Sequence, residues 1–465
     1  MVLRSDPGVR APSLGSAPSA RRHCTLPPAQ GGRFAPLPRF PTRPSDPGAR
    51  RRYHAAIERL RSLPWLRIAR VLFALYLVGA LISVWLPGDW RQADIAGYRA
   101  YALAFWGHLG HPSLPHEYPP LSLIPFALAM IGPPAVGQDC FALGMALLFV
   151  LGFVAVRRWK GSPRAWTYGA YALAAGPATL LFRFDLVPAL LVLACLWLLE
   201  RRRFAALYPL IGVGTLVKLF PLALLPLTAI AQARPLRHDG AHALIWRLAA
   251  GAVACLGVVA AGFILAVAVD PAHGLGAISY NLHRPVEVES IPATLMWFGS
   301  LLGAPTHAVF SFGSYNLTGP LSGGVLGLGD AGLVVGTLFV WWRQATGRMD
   351  AGHAVTASLL VLLCGNGVLS AQYLLWVAPL LAVVDGFQYR WLAVFLLTAL
   401  VFPLLFQVAV QYTPSISYSA VFLAGVALRN LLLVACTVRF LLTPRAAPDP
   451  RSPELAAPSP LAVAG

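Results

Sequence analysis

Charge is scarce in this sequence: only 12% of its 465 residues are Asp, Glu, Lys or Arg, while 57% are hydrophobic. Soluble domains carry about 25% charged residues, so a water-soluble fold is excluded. Cysteine is also sparse. The six present (Cys24, Cys140, Cys195, Cys255, Cys364, Cys436) are widely scattered and mostly inside apolar runs, which suits small hydrophobes better than a disulfide framework or a zinc site. No phosphate-binding loop, zinc-ligand spacing or serine nucleophile elbow occurs, which removes the common soluble chemistries. Period-two alternation is missing too, arguing against a transmembrane barrel.

What is present is a succession of Leu/Ala/Val-rich runs, at 71–86, 141–156, 186–199, 248–269, 331–342, 391–406 and 421–442. Each approaches the roughly 20 residues that cross about 30 Å of hydrocarbon as a helix, the conformation that satisfies its own backbone in lipid. The expectation is an all-α integral membrane protein, a polytopic bundle of about 12 to 14 hydrophobic segments with large outer loops. The net charge of +18 reports topology and calls for no nucleic acid, because the basic residues cluster between apolar runs and in a tail. Clusters at 157–164, 200–203, 234–247, 343–348 and 439–445 are assigned to the cytoplasm. Segment 219–231 reads as a short returning helix. Two segments, 121–134 and 293–324, break the alternation and read as re-entrant or incompletely spanning.

Three parts are expected: a disordered basic cytoplasmic arm at 1–64, a membrane domain at 65–442 and a disordered cytoplasmic tail at 443–465. The arm's first 52 residues are rich in Pro, Gly, Ser and Arg and carry no apolar period. The Arg-rich stretch at 50–70 precedes the first apolar run, which places the N-terminus inside; the basic cluster at 439–445 places the C-terminus there too, and the polar loops fall on the outer side of the cytoplasmic membrane. Six polar clusters then fall on that outer side, and ionisable groups at a membrane boundary are costly unless they pair or face a wet cavity.

Asp94, Tyr98 and Tyr101 are spaced i, i+4, i+7 and share one helix face, leaving Ile95, Ala102 and Phe105 for lipid headgroups; an interfacial helix with aromatic anchors is the plain alternative. Glu117-Tyr118-Pro119-Pro120 reads equally as an acid at a helix start and as a carboxylate orienting a hydroxyl or an arginine. Arg183-Phe184-Asp185 separates two apolar helices, and Lys218 stands inside an apolar stretch; either the cations snorkel, or Arg183, Lys218 and Arg284 hold a phosphate with Asp185 steadying Arg183. His283 to Ser290 gathers an imidazole, a guanidinium, Glu287 and Glu289, whose two carboxylates are weak evidence for a divalent ion; no cofactor is called for. Ser370-Ala371-Gln372-Tyr373 reads as a polar helix break or a plain kink. Asn316-Leu317-Thr318 is a chance-level glycosylation pattern.

In this order, the Asp94-x3-Tyr98-x2-Tyr101-Ala102, Glu117-Tyr118-Pro119-Pro120, Arg183-Phe184-Asp185-Leu186-x-Pro188, Lys218-Leu219-Phe220-Pro221, Arg284-Pro285-Val286-Glu287-x-Glu289-Ser290 and Ser370-x-Gln372-Tyr373-x2-Trp376 motifs resemble glycosyltransferase family 87, membrane mannosyltransferase-like proteins of GT-C fold. The resemblance covers roughly residues 65–440. It implies transfer of a sugar, most often mannose, from a polyprenyl-phosphate donor to a glycolipid or lipoglycan acceptor at the outer membrane face, with Asp94 at the position of the family's first-loop aspartate. One departure is that residues 107–113 lack the family's usual Tyr and following Asp.

A lipid-phosphate sugar carries its own leaving group, so one base and a set of cations suffice. Under this reading Asp94 deprotonates the acceptor hydroxyl, which displaces the polyprenyl phosphate with inversion. Arg183, Lys218 and Arg284 stabilise the phosphate with His283 assisting, and Glu117, Gln372 and Tyr373 orient sugar hydroxyls. Tyr98, Tyr118, Asp185, Glu287 and Glu289 complete the expected substrate contacts. The competing reading is a transporter or flippase of lipid-linked sugars, since broken helices with ionisable groups also mark translocation sites.

Overall fold

A computed structural model of the protein describes residues 90–107, 110–236 and 241–443. The expected first span at 71–86 and both terminal arms lie outside the described residues. Proline and glycine punctuate the fold. Prolines 134, 163, 177, 292 and 379 sit in first helical turns, where the missing amide hydrogen is not needed. Gly161 closes one helix at φ 87°, a conformation open to glycine at little cost.

The elements used below are α1 (Trp90–Trp106), α2 (Pro134–Lys160), α3 (Leu186–Glu200), α4 (Phe204–Val217), α5 (Ala241–Val269), α6 (Ile291–Leu301), α7 (Ser322–Ala345), α8 (Ala351–Gly365) and α9 (Ala420–Leu442). Among the described residues, five helices are long and apolar enough to cross a membrane: α2, α5, α7, α9 and a kinked helix over Tyr389–Tyr412. Their outer faces carry bare Leu143, Val253, Ile264 and Val335, each about two-thirds or more exposed. An aqueous surface does not tolerate such a spread, whereas hydrocarbon is its matching solvent. Six shorter apolar helices, α3, α4, α6, α8, Pro120–Met130 and Ala371–Val384, accompany them, and α8 and Ala371–Val384 are mostly buried.

The short elements stop where the polar residues begin. Asp185 directly precedes α3, Lys218 follows α4 in an extended conformation, and Asn366 ends α8. Close packing is achieved by small residues, as is usual between membrane helices. A Cβ on Gly212 would lie 2.8 Å from the Cys255 carbonyl, so α4 and α5 meet backbone to backbone.

Segment 121–134, expected to be incompletely spanning, is a chain of short helical turns from Pro120 to Met130. Segment 293–324 holds most of the short α6 and then the hairpin of β2 His307–Ser311 and β3 Ser314–Thr318, which β1 Val286–Glu287, just before α6, joins in a small antiparallel sheet of order β1-β3-β2. Its hairpin turns through Phe312 and Gly313, both at positive φ as a tight two-residue turn demands. Buried Asn316 donates its amide to the Ser311 carbonyl at 2.6 Å, so it is a sheet residue. The returning helix expected at 219–231 begins with a tight turn at Phe220–Ala223 and runs over Leu224–Leu236.

Candidate functional site

The face of α1 is turned differently from expectation. Ile95 and Ala102 are fully buried, not laid against headgroups, and Tyr98 is buried between them. These three, spaced i, i+3, i+7, are the helix's inward stripe. Arg99 fastens the same helix by donating to the Ala129 and Gly132 carbonyls at 2.6 and 3.0 Å. Tyr98 stacks on Phe126 at 4.3 Å and meets Phe184 and Tyr118 edge-on at 5.6 and 6.0 Å. Tyr98 and Tyr118 are therefore the aromatic floor beneath the site.

Around this floor stand three groups of charged residues. In the first, the Tyr101 hydroxyl donates to Glu117 Oε1 at 3.0 Å, with the His116 ring beside it. The hairpin turn closes over this carboxylate: Tyr280 donates to the Phe312 carbonyl, a Cβ on Gly313 would lie 3.8 Å from Glu117 Oε2, and Arg284 donates to Ser314 Oγ at 3.0 Å. The Arg284 guanidinium rides over the Tyr280 ring at 5.5 Å, and its buried Nε has no partner.

In the second, Lys218 Nζ donates to Asp185 Oδ1 at 2.5 Å, and the Trp376 indole donates to the same oxygen at 2.7 Å. The ammonium also faces the rings of Tyr373, Phe184 and Trp376 at 4.8 to 5.0 Å, a cage in which the cation sits against π faces. Asp185 thus pairs directly with Lys218, whose charge is already compensated, and its charge also favours the ionised form of the buried Arg183 guanidinium.

In the third, Arg183 pairs with Asp94, the residue expected to act as base, and Asp94 keeps about a third of its side chain exposed. Behind them lies Glu289, and behind Glu289 lies Arg429, fully buried at the tenth position of the 23-residue α9. At 1.5 Å per residue that is about 14 Å along the helix. Arg429 Nη2 donates to the Glu289 carbonyl at 2.6 Å and lies 3.6 Å from its Oε2. Asn430 donates to the Glu289 and Ser290 carbonyls at 3.1 and 2.9 Å and to Thr294 Oγ1 at 2.8 Å. Glu287 accepts from the Leu369 amide at 3.3 Å. Burial raises both carboxyls above their ordinary range, and for Glu289 the neighbouring Glu287 pushes the same way.

The structure thus gathers Asp94, Glu117, Arg183, Asp185, Lys218, Arg284, Glu287, Glu289 and Tyr373 around one polar crest. His283 does not join them as an assisting donor. It is exposed, and its Nδ1 donates to the Ser279 carbonyl at 2.7 Å, closing its own short helix. Gln372 is half-buried and makes no hydrogen bond among the described residues. Sequence reasoning passed over Arg429, Asn430 and Tyr280. A lone arginine inside an apolar run was the available signal, because such a charge is costly in a membrane helix unless it has partners.

Among the described residues, no group of three His, Cys, Asp or Glu side chains is placed to hold a metal ion. Compared with known proteins, the chain matches no protein-family model, no curated protein and no solved structure.

Proposed function

We propose that this protein is a membrane glycosyltransferase of GT-C type. It would move a hexose, mannose in the first instance, from a polyprenyl-phosphate donor to a glycolipid or lipoglycan acceptor. The observation that carries the reading is the gathering of Asp94, Arg183, Arg284, Glu287 and Glu289 around one polar crest, with the Asp94 side chain about a third exposed and so open to an incoming hydroxyl. Asp94 takes the acceptor proton, the acceptor oxygen bonds to the anomeric carbon, and the bond to the carrier oxygen breaks with its electron pair leaving on the phosphate. Arg183 and Arg284 face that developing charge. Lys218, held by Asp185, contributes mainly by fixing the aromatic cage.

The helix ends far from this crest carry Arg157, Arg158, Arg201, Arg202, Arg203 and Arg439, the bias of a cytoplasmic side. The crest then belongs to the outer face of the cytoplasmic membrane. The buried Arg429, well inside a span, also favours a second reading, a flippase of lipid-linked sugars, since charges at that depth mark translocation paths.

One experiment addresses both. Purified wild type and Asp94→Asn are placed in liposomes with radiolabelled polyprenyl phosphomannose and native membrane lipids. A labelled glycolipid made by the wild type alone is the expected result. Equal product from both proteins removes Asp94 as the base. No product but accelerated flipping of the donor assigns the protein to transport.

A further inference from the structure

Helix α7 is the least buried of the five membrane-length helices, with 6% of its most apolar stretch covered by the rest of the protein. One face of it is closed. A Cβ on Gly329 would lie 2.6 Å from the Gly365 carbonyl oxygen and 3.4 Å from the Pro292 ring, and one on Gly336 would lie 2.7 Å from Val361, so α6 and α8 fill that side. Another face is open. Gly323, Gly327, Asp330, Val334 and Leu338 recur at three- and four-residue spacing and so form a single line along the helix. A Cβ on Gly323 or Gly327 would meet nothing within 4 Å, Val334 and Leu338 are 57% and 55% exposed, and Asp330 is exposed among them.

The acid is the anomaly on this line. Asp330 makes no hydrogen bond and no ion pair among the described residues. It is the ninth residue of α7, about 12 Å along the helix from Ser322 and about 20 Å from Arg343 near the other end. Acids on the other spans keep to the margins: Asp270 directly follows α5, and Asp139 lies in the first two turns of α2. A lysine or arginine at the depth of Asp330 could extend its stem toward the headgroups, but an aspartate has a single methylene and cannot. An ionisable group held against hydrocarbon is costly unless a partner meets it.

We infer that this line on α7 is the docking face for a membrane-spanning helix of another protein, one that carries a lysine or arginine to meet Asp330. Charge decides the occupant. In a low-dielectric surrounding an acid and a base attract strongly, whereas a second copy packed about a two-fold axis through the same line would set Asp330 against Asp330, like charge against like. Lipid supplies no cation there, because its amines stay in the headgroup layer outside the hydrocarbon. Gly323 and Gly327, one turn apart and both open, let a second backbone come close, which is how membrane helices associate where apolar burial drives nothing. Asp330 is not among the residues of the polar crest, so the inference does not rest on the reaction proposed for the crest.

The test uses the full-length protein, labelled with a donor fluorophore, in phosphatidylcholine liposomes with acceptor-labelled synthetic peptides. One peptide is a Leu/Ala helix long enough to span, with a single lysine about 12 Å from one end and alanines along the lysine's face. The other carries leucine in place of the lysine. Energy transfer should show the wild type binding the lysine peptide about tenfold more tightly than the leucine peptide, the scale of one charge-assisted contact between helices. Asp330→Leu should bind the two peptides equally. Asp330→Asn, nearly isosteric, should lose most of the difference and serves where the leucine variant does not fold. Gly327→Leu, which projects into open space, should weaken the lysine peptide by about tenfold because the backbones no longer approach.

Equal binding of both peptides by the wild type overturns the inference, and so does a lysine preference retained in both Asp330 variants. Energy transfer between donor- and acceptor-labelled copies of the protein that Asp330→Leu abolishes assigns the face to a second copy, and overturns it as well.

Discussion

The two ends of the helix bundle use the same residue types in opposite ways. At one end, the C-termini of α2, α3, α7 and α9 meet the N-terminus of α8. There Arg343 spreads its guanidinium over the carbonyls of Leu441, Arg348 and Thr443, and Arg164 reaches the Ala382 carbonyl at 3.2 Å. Lys160 and Glu200 pair at 2.6 Å with side chains 28% and 33% exposed. Arg343 and Arg164 thus fall on backbone carbonyls at or near helix C-termini, where the backbone dipole welcomes them. At the other end the charges face carboxylates and rings in the interior, and Arg183, Arg284 and Arg429 each retain an unfilled Nε. Arg390 Nε, at the first end, shares that condition, though its other nitrogens bind Gln388 and Asp385. Charge satisfied by a helix's own backbone serves topology and stability, while charge left with spare donors is available to a ligand.

The sharpest way to break this division is to compare Asp94→Asn with Arg343→Gln in the transfer assay. The first should lower turnover by about 10²-fold or more, the usual scale for a lost general base, while the second leaves it nearly unchanged. Equal losses would mean that the ends are not functionally distinct.

A smaller effect is expected at the buried Lys218–Asp185 pair, whose side chains are 14% and 1% exposed. Lys218→Met alone strands a buried carboxylate and should cost about 3–5 kcal/mol in unfolding stability. Adding Asp185→Asn should restore most of it, and a double variant as weak as the single one would refute the pairing as the cause.

Glu289 gives a pH-dependent comparison. Its folded value is raised above that of an exposed glutamate, so its stabilising contribution is complete below the ordinary carboxylate range and is lost as pH rises toward about 8. Thermal melting of Glu289→Gln should therefore gain on the wild type between pH 5 and pH 8 and run parallel above; a constant offset would remove the buried acid as the source. Smallest of all, Lys160→Gln should alter stability by less than about 1 kcal/mol, because partly exposed ion pairs contribute little. A larger loss would show that this end too depends on its ion pairs.

Much of this contrast was legible in advance. The basic clusters and the polar interruptions are local compositional features, and the short helices end close to where the sequence turns polar. The face of α1 was not legible, because Tyr98 lies within one turn both of Asp94 and Tyr101 and of Ile95 and Ala102, and spacing alone does not say with which pair it is buried. Nor was the partner of Asp185. Arg183 is its neighbour in sequence, but the turn between two helices sends the two side chains to Asp94 and Lys218 respectively. Arg429 disappears when hydropathy is averaged over the apolar residues of α9.

The sequence by itself determined that this is a helical protein with spans suited to a membrane and with its charges confined to particular segments. Hydrophobicity acts through composition over a single helix length, so it can be read locally. Which charges meet was decided by the tertiary structure alone. Asp185 finds Trp376 at 191 positions' separation, and Glu289 finds Arg429 at 140. Electrostatic pairing depends on distance in space, and only the packed helices set that distance.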